Sequence, residues 1–248
     1  MKKVCSLMAG AMIFALVLGV SSCTPKSKNN SEASVKTSVV NPQLQDRATD
    51  DPLTLLKKGN RRFVLNTPLY ANKDSVRVRE LVQGQYPKAI IIGCSDSRVP
   101  PEVIFDQGLG DLFVIRTAGN VMGDYELGSV EYAADHLHTK LVVVLGHSSC
   151  GAINAMLEHN CGDGHAHPVP GHIAAIVKTL GEGAEVKEVL ASKGDGMDIR
   201  AVEANVVNGV KQLRNCAPIL NELHQSGELK IVGAIYYIET GEVKYLDI

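Results

Sequence analysis

Three residues of this 248-residue chain stand at spacings from which a metal site can be built. Cys94 follows directly on the apolar run Ala89 to Gly93. His147 and Cys150, in Gly146-His147-Ser148-Ser149-Cys150-Gly151, follow directly on a second apolar run, Leu141 to Leu145. Both runs are short, nearly unbroken and rich in Ile and Val, as in strands buried on both faces of a parallel sheet. Sites in such sheets lie at the carboxyl ends of the strands. If the two strands are neighbours, two thiolates and an imidazole converge there. That is a zinc ligand set, and three protein ligands leave a fourth position open for water, the arrangement of a catalytic centre. His147-x-x-Cys150 alone is a weak signal, and Cys94 at an equivalent strand end makes it strong. Cys150 is expected to start the helix running through Ala152 to His159, where a helix N-terminus favours the thiolate.

Asp96 and Arg98 lie two residues apart, on one side of the chain if the segment stays extended. Pairing with Arg98 would keep Asp96 ionised, able to accept a hydrogen bond from a metal-bound water. If the pair breaks, Asp96 is free to become a fourth ligand and close the site. The plainer alternatives are an ordinary ion pair and a structural zinc site. A structural site takes four protein ligands, and here the fourth is available only if Asp96 swings in.

The elements that must carry these residues read as an alternation of strand and helix. Further apolar runs at Leu112 to Ile115 and Ile231 to Ile238 predict two more strands. Helical patterns at Tyr125 to His138, Ala152 to His159, His172 to Leu180 and Ile199 to Gln225 separate them. The alternation implies an α/β fold, a mixed sheet with parallel central strands flanked by helices. Glu242 to Asp247 alternates and predicts an edge strand after the turn at Thr240-Gly241. Ahead of the sheet, Asp51 is placed to cap a helix with Pro52 at its first position. Gly59 is expected to weaken or split that helix. A second helix is predicted from Lys73 to Gln83. Leu213 and Leu220 are read as core positions of the last long helix.

Composition narrows the function classes. The chain is 45% apolar and 21% charged, as globular proteins are. A formal charge of −2, no Trp and only 4% aromatic residues argue against nucleic acid as a partner. Six cysteines are too few for a disulfide scaffold of this length. Cys161 and Cys216 belong to no motif and read as two buried thiols or as one disulfide. His165, His167 and His172 fall in a His-rich stretch, read as a solvated loop in preference to a second metal site.

The N-terminus reads as an address. Lys2 and Lys3 precede an uncharged stretch from Leu7 to Val20, the pattern of a secretory signal. The stretch is shorter than the roughly 20 residues of a membrane-spanning helix. Val20-Ser21-Ser22-Cys23 resembles the lipobox of bacterial lipoproteins. The resemblance implies a signal peptide over residues 1–22, cleaved before Cys23, and acyl chains on Cys23 that anchor an exported protein to the cell envelope, facing the periplasm or the outside. The plainer alternative is an ordinary signal peptide followed by a chance cysteine. Residues 23–49, with few large apolar side chains, read as a flexible tether, and the folded domain is expected over 50–248.

The segment Cys94-Ser95-Asp96-Ser97-Arg98-Val99-Pro100-Pro101-Glu102, followed by His147-Ser148-Ser149-Cys150-Gly151, resembles the β-class carbonic anhydrases. Gly110-Asp111-Leu112-Phe113, Arg116-Thr117-Ala118-Gly119-Asn120 and Ser129-Val130-Glu131-Tyr132-Ala133 fit the same family, so the likeness runs over most of the chain from Asp50 onward. It implies one zinc ion on Cys94, His147 and Cys150, a dyad of Asp96 and Arg98, a projecting N-terminal helical arm, and an obligate dimer or higher homo-oligomer. It also implies the Gln form of the active site. Gln85 stands where that form has its glutamine, and Ile91 stands where the other form has a Trp that supports a closed, bicarbonate-locked state. The open, water-ligated form is therefore expected at neutral pH, with Gln85 donating a hydrogen bond to bound bicarbonate.

In the family this Gln and the residues matching Phe113 and Tyr132 come from the neighbouring subunit. Gly151 would lend backbone beside the metal. Ala118 stands where many members have Val, which widens the apolar pocket by two carbons. The activity implied is reversible hydration of CO₂ to bicarbonate and a proton, by zinc-bound hydroxide attacking CO₂ held against Val99, Phe113, Ala118 and Tyr132. The competing readings are hydrolysis of carbon disulfide or carbonyl sulfide on the same fold, and a zinc-binding lipoprotein without catalysis. The Asp96–Arg98 dyad and Gln85 argue against the last.

Overall fold

Four of the apolar runs form the parallel strands of one sheet. The computed structural model describes residues 51–161, 169–192 and 194–248. The expected signal, Cys23 and the expected tether lie outside the described residues, as do His165, His167 and the side chain of Cys161. The strands are β1 (Ala89–Cys94), β2 (Leu112–Thr117), β3 (Leu141–His147), β4 (Lys230–Tyr237) and β5 (Glu242–Tyr245). Their order across the sheet is β2-β1-β3-β4-β5. The first four run parallel, and β5 pairs antiparallel with β4 as the expected edge strand. Every residue of β1 and β3 is buried, so their unbroken apolarity reports position at the centre of the sheet. The α/β class and the mixed sheet are as the sequence predicts.

The helices are α1 (Pro52–Val64), α2 (Ser75–Glu80), α3 (Pro101–Ile104), α4 (Asp124–Glu131), α5 (Gly151–Cys161), α6 (Ile173–Glu182), α7 (Ala184–Ser192), α8 (Met197–Arg214) and α9 (Ile219–Gln225). Asp51 caps α1 as expected, its carboxylate accepting from the Leu53 and Thr54 N–H groups at 3.1 and 3.4 Å. Gly59 does not split α1. It lies where the helix crosses the chain at Phe105, so closely that an added Cβ would come within 1.8 Å of the Phe105 carbonyl oxygen. The predicted helix from Lys73 to Gln83 is α2 followed by a 3₁₀ turn at Leu81–Gln83, and α2 has no buried residue.

Three further predictions change in detail. The run from Ile199 to Gln225 is two helices, because Pro218 lacks the N–H that a continuous helix requires. Leu213 and Leu220 are fully buried as expected, one on each. The stretch from Tyr125 is α4 continued by a π turn at Tyr132–His136. Helix α7 was not anticipated, since Val186 is the one fully buried residue it offers to mark an apolar face. Cys216 carries a free thiol, which removes the Cys161–Cys216 disulfide from the two readings. His172 is exposed just ahead of α6.

Candidate active site

Neighbouring parallel strands bring the three predicted ligands together. Gly93 of β1 stands opposite Leu145 of β3, so Cys94 and His147 end adjacent strands on the same edge. Cys150 follows three residues after His147, its carbonyl accepting from Asn154 N–H at 2.9 Å to open α5. The two sulfurs and a ring nitrogen of His147 all lie within 4.8 Å of one another, and all three residues are buried. This is the only group of three or more such ligands among the described residues.

The cluster fits a tetrahedral cation. His147 Nδ1 lies 2.8 Å from the Ser148 carbonyl oxygen, so the ring donates its proton there and leaves the Nε2 lone pair free. Nε2 is buried and makes no hydrogen bond. An orphaned buried acceptor costs stability unless something completes it. A cation with Zn–S near 2.3 Å and Zn–N near 2.0 Å would hold such atoms roughly 3.5 Å apart, a slight contraction of the cluster.

Its electrostatics favour thiolate. The Cys150 thiol donating to Cys94, with His147 beside it, holds Cys94 down to about 4 despite its burial, helped by the Asp96 and Gly119 N–H groups. The Gly119 N–H lies 3.3 Å from the sulfur, and Gly119 reaches that position with a left-handed φ of 65°. The same shared proton, with burial, pushes Cys150 up, against the pull of the Ile153 and Ala152 N–H groups at the start of α5. Burial alone would lower His147, but the neighbouring Cys94 sulfur and the Ser148 carbonyl outweigh it and raise its pKa.

Asp96 and Arg98 pair as predicted, but by another geometry. The segment is a turn, not an extended strand. The Arg98 backbone N–H donates to Asp96 Oδ1 at 2.9 Å, and the Val99 N–H donates to the Asp96 carbonyl at 3.1 Å. The guanidinium then meets the carboxylate through Nε and Nη2 at 2.9 and 2.7 Å. Arg98 holds the Asp96 carboxyl down to about 2, so it is ionised at neutral pH. Arg116 braces the same segment, donating to the carbonyls of Cys94 and Asp96 at 2.8 and 2.5 Å.

The remaining predicted residues divide into two groups. Val99 is buried beside the Asp96 turn, Ala118 directly precedes Gly119, and Gly151 opens α5 with nothing within 4 Å of where a Cβ would stand. Phe113, by contrast, pairs with Ile90 near the start of β1, while Cys94 pairs with Thr117. Four residues of strand, about 13 Å, separate it from the cluster of its own chain. Its ring lies 6.3 Å from that of Tyr132, which is 46% exposed. Gln85 is exposed and hydrogen-bonds to no described residue. Sequence reasoning missed Arg116, whose segment it quoted without a role, and Glu239, which follows β4. Glu239 accepts from Ser148 Oγ at 2.8 Å and from Ser149 Oγ at 3.4 Å. Its position just past a parallel strand's carboxyl end was the available signal.

The carbonic anhydrase family matches residues 89–243. Carbonic anhydrase 2 of Mycobacterium tuberculosis is 40% identical over 195 residues, covering 77% of this chain and 90% of the relative. A carbonic anhydrase of Pseudomonas aeruginosa is 37% identical over 177 residues, covering 68% and 77%. Among solved structures, the β-carbonic anhydrase CcaA superposes with a TM-score of 0.61 at 30% identity, over 79% of this chain and 95% of that one. A tetrameric β-carbonic anhydrase of Sordaria macrospora gives 0.57 at 29%, over 69% and 86%. Sequence likeness, a shared sheet and a buried Cys–His–Cys cluster at its carboxyl edge thus agree, and the chain belongs to the β-class carbonic anhydrases.

Proposed function

We propose that this protein catalyses the reversible hydration of CO₂ to bicarbonate and a proton, with one zinc ion per chain held by Cys94, His147 and Cys150. Zinc there would supply a Lewis acid that brings the pKa of a water towards neutrality. Asp96 is the acceptor that orients this water. Its Oδ1 takes two bonds from Arg98 and its Oδ2 one, which leaves Oδ2 with an open lone pair. Arg98 holds the carboxylate charged and keeps it from joining the ligand set. Val99 and Ala118 form the apolar wall against which CO₂ rests. The observation that carries this reading is a charged carboxylate, gripped by its own arginine, beside a three-ligand cluster.

The site is completed by a second copy of the chain. The sheet register puts Phe113 about 13 Å from its own cluster, and Tyr132 and Gln85 face outward. Apolar Val76, Val78, Val82 and Tyr86, close to Gln85 along the chain, stand 51%, 53%, 72% and 77% exposed, side chains suited to burial in a homodimer. Gln85 from that neighbour donates to bicarbonate. The mature protein begins at Cys23 and is exported and lipid-anchored, with residues 23–49 as its tether and 50–248 as its enzyme domain. Stopped-flow CO₂ hydration with zinc content measured on the same sample tests the activity. Fast hydration at one zinc per chain is expected, and full zinc without hydration across about pH 6.5 to 9 would overturn it. Detergent-phase partition of the parent but not of Cys23→Ala tests the anchor.

A further inference from the structure

We propose that Glu239 is a positioning residue for the metal centre, holding through Ser148 and Ser149 the turn that orients His147 and Arg98. The inference rests on the reading of Cys94, His147 and Cys150 as the metal site. Only these two serines separate the ligand that ends β3 from the ligand that opens α5, so a shift of the turn moves both. Each carbonyl of the turn has a task. That of Ser148 receives His147 Nδ1 at 2.8 Å, and that of Ser149 receives Arg98 Nη2 at 3.2 Å. Ser149 holds a left-handed φ of 54°. A non-glycine residue keeps such a conformation only where its surroundings over-determine it.

The surroundings that do so come from the end of β4. The Ser148 N–H donates to the Tyr236 carbonyl at 2.9 Å, and the Ile238 N–H donates to Ser148 Oγ at 2.9 Å. Glu239 makes the remaining contacts. Its Oε2 accepts from Ser148 Oγ at 2.8 Å and its Oε1 from Ser149 Oγ at 3.4 Å. An ionised carboxylate only accepts, so both hydroxyls must point at it, and Ser148 Oγ is left with its lone pairs towards Ile238. Glu239 is itself exposed and fills no core space. Its substitution therefore tests orientation more than folding.

The test uses the zinc-loaded protein and two readouts besides activity: the rate at which zinc is lost to a chelator, and the absorption spectrum after cobalt(II) replaces zinc. Groups that orient a ligating histidine typically change metal affinity or activity by 10- to 100-fold. E239A is expected to lose zinc about 10-fold faster or more and to shift the cobalt bands. E239Q, isosteric with one acceptor oxygen remaining, should fall between it and the parent. E242A, an exposed glutamate on β5, should match the parent. In the pair S148A and E239A the effects should fall short of multiplying, because the two share the Ser148–Glu239 hydrogen bond. Zinc loss from E239A and E239Q within about twofold of the parent, with an unchanged cobalt spectrum, overturns the inference alone, as does full multiplication in the double variant. A parent that holds no zinc overturns the metal reading with it.

Discussion

Arg98 grips the carboxylate of Asp96 from two residues away, with Nε 2.9 Å from Oδ1 and Nη2 2.7 Å from Oδ2. A third bond, from the Arg98 backbone N–H to Oδ1, closes a turn around the pair. The dyad is thus largely local. Its side chains have a more distant tie at the Ser149 carbonyl, which takes Arg98 Nη2 at 3.2 Å and joins the pair to the segment between His147 and Cys150. A carboxylate so held keeps its charge.

Asp96→Asn tests that arrangement. The amide cannot carry the charge, and it presents a donor where the site needs an acceptor. Zinc content is expected to stay at the parent's value, while kcat/KM for CO₂ falls by about 10²-fold or more. Stopped-flow hydration beside metal analysis reads both, and unchanged hydration would remove Asp96 from the mechanism.

His147→Ala removes the nitrogen ligand and leaves two sulfurs. Zinc should raise the Tm of the metal-free parent, because an ion bound only by the folded state stabilises it by mass action. The same addition should leave the Tm of the variant nearly unmoved. An equal rise in both proteins would show that zinc binds elsewhere.

The residues that were legible in the sequence are those whose role follows from their own neighbourhood. Ile90 to Ile92 and Val142 to Val144 are unbroken because both faces of their strands are covered, so the strands and the ligands at their ends could be read together. Gln85, Phe113 and Tyr132 were named through likeness to a family, and no local pattern marks them. Glu239 escaped because its partners lie 91 and 90 residues earlier and meet it only when β3 and β4 are paired. The split expected at Gly59 fails for the same reason. Helix propensity counts against it, and the contact that requires it is with Phe105, on a different element.

Gly59→Ala separates those two influences. Propensity alone would stabilise α1 by about 1 kcal/mol. The added Cβ, however, would sit 1.8 Å from the Phe105 carbonyl oxygen, which is backbone and cannot rotate away. Overpacking of this kind costs about 1–3 kcal/mol, occasionally more, so the net change should be a loss. Chemical denaturation should show a lower midpoint, and an unchanged or higher one would mean that α1 moves freely against its neighbour.

Glu185 accepts a hydrogen bond from Lys211 of α8, and that contact holds its carboxyl below the usual 4.5. A depressed folded pKa gives stability that is present above the unfolded value and lost as pH falls through the folded one. Lys211 is 61% exposed, so the pair contributes about 1 kcal/mol at most. Glu185→Gln should lower the denaturation midpoint slightly at neutral pH, and the gap to the parent should close as the medium is made more acid than the usual carboxylate pKa. A gap that stays constant as the pH falls below the usual carboxylate range would mean the loss came from packing and not from charge.

Gln85 and Asp96 offer a direct test of whether two copies share a site. Gln85→Ala should lower kcat/KM without altering zinc content, and Asp96→Asn should do so more strongly. If Gln85 serves the partner's cluster, a heterodimer of these variants contains one site lacking both residues and one site with both intact. Dissociating the two homodimers and reassociating them as a mixture should then restore activity well above that of either alone, towards a quarter of the parent's rate per chain at equal mixing, by the statistics of symmetric pairing. If Gln85 acts within its own chain, every site in the mixture lacks one residue or the other, and no activity is regained. Reassociation can be verified independently by tagging one variant and recovering the other with it, so an absence of complementation bears on the residue and not on the mixing.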